Sequence, residues 1–107
     1  MESYAVEMTR QAEEQLSEIV QYISLTLRSP QAGMNTLDAL EEEINSLSAM
    51  PFRYPAIEDD PAGDRGIRKT RAKNFNIYYQ VDDTQKRVNI LAVCYARRDQ
   101  KKIVENL

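Results

Sequence analysis

The sequence predicts an α+β domain in which a two-helix hairpin packs on one face of a small antiparallel β-sheet. Three observations carry that prediction. Two consecutive stretches, from Ala12 to Leu27 and from Met34 to Leu47, repeat apolar residues at helical spacing. Two later stretches, 74–81 and 88–97, are rich in β-branched and aromatic residues and alternate in the manner of strands. Helices and strands fall in separate blocks, so the order β-α-α-β-β-β-α is that of segregated layers and not of a parallel α/β sheet.

At the start, Tyr4, Val6 and Met8 alternate with Ala5 and Glu7, a short strand that Thr9 ends as a helix N-cap. The first helix gathers Ala12, Leu16, Ile19, Val20, Ile23 and Leu27 on one face and Glu13, Glu14, Ser17, Glu18 and Gln21 on the other. Ser29-Pro30 then sets a capping hydroxyl before a proline at the first helical position, where a missing N–H costs nothing. The second helix has the core stripe Met34, Leu37, Leu40, Ile44 and Leu47, with Glu41-Glu42-Glu43 toward solvent, and Pro51 stops it at Met50. Residues 51–66 hold three of the four prolines and two of the three glycines and read as a loop.

A short strand is expected over 67–71, then the strand 74–81 with Phe75, Ile77, Tyr79 and Val81 on one face. After a turn at 82–86 the segment 88–97 returns antiparallel, apolar enough to be central. Alternation puts Tyr78 and Tyr79 on opposite faces, sets Tyr95 beside Arg97, and turns Cys94 away as a small buried side chain. The final R-D-Q-K-K-I-V-E-N-L forms a short helix whose Ile103, Val104 and Leu107 dock on the sheet.

A chain of 107 residues suits one domain, here 1–107, because a second core would bury too little apolar area to offset chain entropy. Neither a basic start followed by an apolar stretch nor a membrane-length apolar run occurs, which points to the cytoplasm and to no membrane partner. The single cysteine fits a reducing compartment. Net charge is -3, but its sign changes along the chain. Up to Ala62 there are 12 acidic and 3 basic residues; from Gly63 onward, 11 basic and 5 acidic. Such asymmetry predicts an anion-facing surface on the C-terminal part, with pairing of acidic helices to a basic sheet edge as the plainer alternative.

That basic part holds Arg65, Arg68, Lys69, Arg71 and Lys73, joined by Arg97 and Arg98 and followed by Lys101 and Lys102. These side chains are expected to converge on the sheet face opposite the helices and to grip nucleic acid or carboxylates; a solvated, soluble edge is the alternative. With no histidine in the chain, imidazole catalysis and a Cys/His nucleophile are excluded. Glu58-Asp59-Asp60 reads as a charged loop tip instead of a magnesium site, Arg98-Asp99 as a candidate ion pair, and no phosphate loop, zinc pattern or dinucleotide fingerprint is present. No cofactor or metal is expected.

The run G-I-R-K-T-R, then K-N-F-N-I-Y-Y-Q-V-D, then V-N-I-L-A-V-C-Y-A-R-R-D, after two helices and a P-x-x-Y-P loop, resembles the RelE/ParE superfamily of toxins from Tyr4 to about Ile103. The resemblance implies a type II toxin neutralised by a cognate antitoxin that covers its groove. It implies one of two activities, since the fold hosts both: poisoning of DNA gyrase, as in ParE, or ribosome-dependent cleavage of mRNA, as in RelE. For an endoribonuclease, Arg71 and Arg97 match RelE active-site arginines, Lys69 lies near a RelE lysine, and Tyr95 stands where many relatives have histidine. The catalytic tyrosine of RelE would fall at about Ile103, which cannot transfer a proton. That departure, the sequence pI near 5.0 and the R-R-D ending favour the ParE-like reading. In it Arg65, Arg68, Lys73 and Arg98 bind target or antitoxin; an inactive interaction module of the same fold is the further alternative, and a homodimer stays open.

Overall fold

A computed structural model describes residues 3–58, 60 and 65–107. The chain runs β1 (Ala5–Met8), α1 (Arg10–Thr26), α2 (Pro30–Ser46), β2 (Arg68–Ala72), β3 (Phe75–Asp82), β4 (Arg87–Tyr95) and α3 (Gln100–Glu105). Both helix starts follow from their caps: the Thr9 hydroxyl accepts from the Ala12 N–H, and the Ser29 hydroxyl from that of Ala32 with Pro30 behind it. The strands form one sheet in the order β1-β4-β3-β2. β2–β3 and β3–β4 pair antiparallel, as expected, but β1 joins β4 in parallel, Ala5 opposite Arg87 and Met8 opposite Ile90, so the sheet is mixed. The α1–α2 hairpin carries the chain from β1 across the sheet, which lets β1 lie beside the last strand in the same direction.

One sheet face and the hairpin form the main core, where Ala12, Leu16, Ile19, Leu40, Ile44 and Leu47 meet Phe75, Ile77, Tyr79, Val88, Ile90 and Val93. At the hairpin tip the apolar stripe runs out of partners, and Leu27 and Met34, expected in the core, are 63% and 47% exposed. The other face is not left open: Ile67, Tyr78, Ala92 and Cys94 are covered by Val104 of α3, flanked by Ile103 and Leu107. Tyr78 and Tyr79 thus lie in different cores. Tyr79 donates to the Pro51 carbonyl oxygen at 2.8 Å, and burial pushes its phenol up to about 12. Among the described residues no helix is long and apolar enough to cross a membrane.

Helix α2 packs tightly on α1 at the buried Gly33, where a β-carbon would lie 1.9 Å from the Ser24 hydroxyl oxygen and 2.9 Å from the Val20 carbonyl oxygen. The hydroxyl can rotate; the carbonyl belongs to the α1 backbone and cannot. Gly33→Ala is therefore expected to destabilise the fold by about 1–3 kcal/mol despite alanine's better helix propensity. Adding Ser24→Ala should restore only part of the loss, and a melting temperature unchanged by Gly33→Ala would refute the close approach.

Candidate functional site

The β2–β3 turn and the exit of β4 lie side by side at one end of the sheet, tied by the Ala96 N–H donating to the Asn74 carbonyl oxygen at 2.8 Å. β4 ends at Tyr95, and the Arg98 N–H donating to the Tyr95 carbonyl oxygen closes a turn there, so Arg97 sits in that turn and not on the expected strand. Arg71, Asn74, Tyr95, Ala96 and Arg97 enclose a concavity of about 290 Å³ at this end. Arg71 and Arg97 do converge, but across the end of the sheet, because α3 already occupies much of the face opposite the hairpin.

Each guanidinium has a support. Nε of Arg71 donates to the Lys73 carbonyl oxygen at 3.1 Å, an orientation set by the left-handed turn at Lys73, φ 53°. Arg97 stacks over the Tyr95 ring, 5.8 Å from its centroid, and that ring in turn leans on the buried Phe75 at 4.7 Å. Among the described residues no carboxylate forms an ion pair with either arginine. Two exposed guanidinium forks beside a phenol can bind a planar or tetrahedral anion through paired hydrogen bonds.

The remaining candidates are placed elsewhere. Lys69 donates to Oε1 of Gln100 at 2.7 Å, at the start of α3, and does not line the concavity. Arg68 donates to the Tyr54 carbonyl oxygen and lies over the Phe52 ring, holding the loop against β2. Arg65 pairs with Asp60 at 2.6 Å and donates to the main-chain oxygens of Val104 and Leu107, so it ties the loop to the end of α3. Lys73 is exposed beside the concavity, and Arg98 turns toward α1 into a second cavity with Glu18 and Tyr22. Asp99 forms no ion pair with Arg98 among the described residues; its carboxylate accepts from the Lys101 N–H and caps α3. Of Glu58-Asp59-Asp60, Asp59 lies outside the described residues. Burial pushes the Cys94 thiol up, against a weaker opposing pull from Arg98.

Glu43 departs from its neighbours Glu41 and Glu42, which are exposed as expected. Its Oε2 accepts from Arg53 at 3.0 Å, from the Thr70 hydroxyl at 2.6 Å and from the Tyr54 phenol at 3.4 Å, joining α2, the loop and β2. The run of three glutamates gave no signal that one of them points inward; only the helical angle relative to Leu40 and Ile44 could have suggested it.

No curated protein matches the sequence significantly. Among solved structures, the chromosomal ParDE toxin–antitoxin system of P. aeruginosa superposes with a TM-score of 0.70 at 18% identity, covering 89% of this chain and 98% of that one. The RelBE2 toxin–antitoxin complex of Mycobacterium tuberculosis gives 0.63 at 23% identity over 87% and 98%. A free-state mutant of the E. coli toxin RelE gives 0.64 at 15% over 98% of both chains. These likenesses establish the fold. The family model for the ParE toxin of the type II toxin–antitoxin system parDE matches residues 6–100, and the chain therefore belongs to the ParE toxin family within the RelE/ParE superfamily.

Proposed function

We propose that the chain is a growth-inhibiting toxin of the cytoplasm that acts by binding, in the manner of a gyrase poison, and that a cognate antitoxin neutralises it by covering the Arg71–Arg97 concavity with carboxylates. The observation that carries this reading is the composition of the concavity. Its charged groups are two arginines, whose guanidinium N–H groups only donate hydrogen bonds and so hold anions but offer no acceptor for a proton. Tyr95 is a phenol engaged by Arg97, histidine is absent from the chain, and Lys69 is turned toward Gln100. An RNA-cleaving site needs a proton acceptor and a donor on either side of the scissile phosphate. The family match and the R-R-D ending support the same side of the choice.

The test is induced expression followed by two assays on the arrested cells. Gyrase-linked double-strand breaks without cleavage of translating mRNA are the expected result. Cleaved mRNA with intact DNA would replace this reading with the endoribonuclease one, in which Tyr95 must move the proton. Unimpaired growth would leave the inactive interaction module.

A further inference from the structure

β1 accompanies β4 only from Arg87 to Ile90, while β4 continues to Tyr95. The register of β3 against β4 shifts at Tyr78/Tyr79, where Ala92 and Ile90 are the partners, so Leu91 bulges at the point where β1 ends. Beyond it, no strand among the described residues pairs with β4 on that side, and side chains stand in for one. The Thr9 hydroxyl donates to the Leu91 carbonyl oxygen at 3.2 Å, and Oε1 of Gln15 accepts from the Val93 N–H at 2.9 Å. Against this edge lies a cavity of about 350 Å³ between α1 and β4, floored by Ile19 and Val93 and rimmed by Glu18, Tyr22 and Arg98. Tyr95 lines this cavity and also the Arg71–Arg97 concavity.

We propose that this cavity seats an extended, acidic segment of a partner protein, which adds as a strand to Leu91–Tyr95 of β4 in place of the Gln15 side chain. An unpaired strand edge offers main-chain hydrogen bonds to any extended peptide, and pockets along it select the side chains. Here the apolar floor takes an apolar side chain. Glu18 on the α1 rim repels acid at that end, and Arg98 on the β4 rim attracts it. The carboxylates therefore fall toward Tyr95, and a segment continuing past that ring arrives at Arg97. The proposal rests on the antitoxin reading above for its biological partner, but its geometry can be tried without one.

The test uses the purified full chain and N-acetylated ten-residue peptides of alternating valine and glutamate, or valine and lysine, with amide hydrogen exchange read residue by residue. The valine–glutamate peptide should slow exchange at Val93 and Tyr95 by about tenfold or more, the lysine peptide by little. Gln15→Ala, which removes the internal competitor, should speed Val93 exchange in the free protein and tighten peptide binding by about threefold to tenfold. Arg98→Glu, an exposed change that leaves the core intact, should abolish the preference for glutamate. Equal protection by both peptides, or protection that spares Val93 in the parent and in Gln15→Ala, overturns the proposal. Either result stands apart from the toxicity assay, which can fail while strand addition holds and hold while strand addition fails.

Discussion

Cells expressing the Arg71→Ala, Arg97→Ala double variant should grow as if uninduced, while the purified variant keeps the parent's circular dichroism and melting temperature. Both side chains are exposed, and neither forms an ion pair among the described residues, so their removal takes little from the fold. A charge-assisted hydrogen bond contributes about 1.5–3 kcal/mol, so each arginine accounts for roughly tenfold to a hundredfold in affinity for an anionic target. Losing both should take binding below what sustains arrest. Lysine at either position keeps the charge but not the fork and should give intermediate arrest. Full arrest in the double variant would remove this concavity as the working surface, whichever target the toxin has.

The largest effect on stability is expected at Glu43. Alanine there leaves the Arg53 guanidinium, the Thr70 hydroxyl and the Tyr54 phenol without their shared acceptor, and Thr70 is 3% exposed. Breaking a fully buried pair costs about 3–5 kcal/mol. The Arg53 and Glu43 side chains keep 26% and 22% of their exposure, so about 2–3 kcal/mol is the better figure. For a chain of this size that corresponds to a fall in melting temperature of roughly 10–20 °C. Glu43→Gln retains an oxygen acceptor and should lose about half as much. A Glu43→Ala melting temperature within about 2 °C of the parent would show that the three donors find water instead.

Much of the fold was legible because local signals agreed with one another. Thr9 and Ser29-Pro30 mark helix starts through their caps, and the alternation through Phe75, Ile77 and Tyr79 assigns the hairpin-facing side of β3. What stayed hidden depends on residues far apart in the chain. The alternation of Tyr4, Val6 and Met8 gives a strand but not its neighbour, so the parallel pairing with β4 could not be read. The docking of Ile103, Val104 and Leu107 on the sheet was legible, but not that it fills the face opposite the hairpin, which moves the basic convergence to the end of the sheet. Charge type was visible and engagement was not: Arg65 and Arg68 look like Arg71 in sequence, yet each is spent on main-chain oxygens of other segments. The meeting of Arg71 with Arg97 was expected from the charge pattern, but on a sheet face; its place between two turns was not legible, since no local spacing brings two turns together.

The parallel partnership of Ala5–Met8 with Arg87–Ile90 also sets a schedule for biosynthesis. Closing that loop draws together segments more than eighty positions apart, an entropic cost that grows slowly with length but cannot be met before the distal strand exists. A nascent chain can wind its two helices and pair β2 with β3 early, yet β1 has no strand to pair with until β4 has left the ribosome, and Arg97 follows still later. The sheet, and with it the Arg71–Arg97 concavity, is thus completed only after β4 has been synthesised.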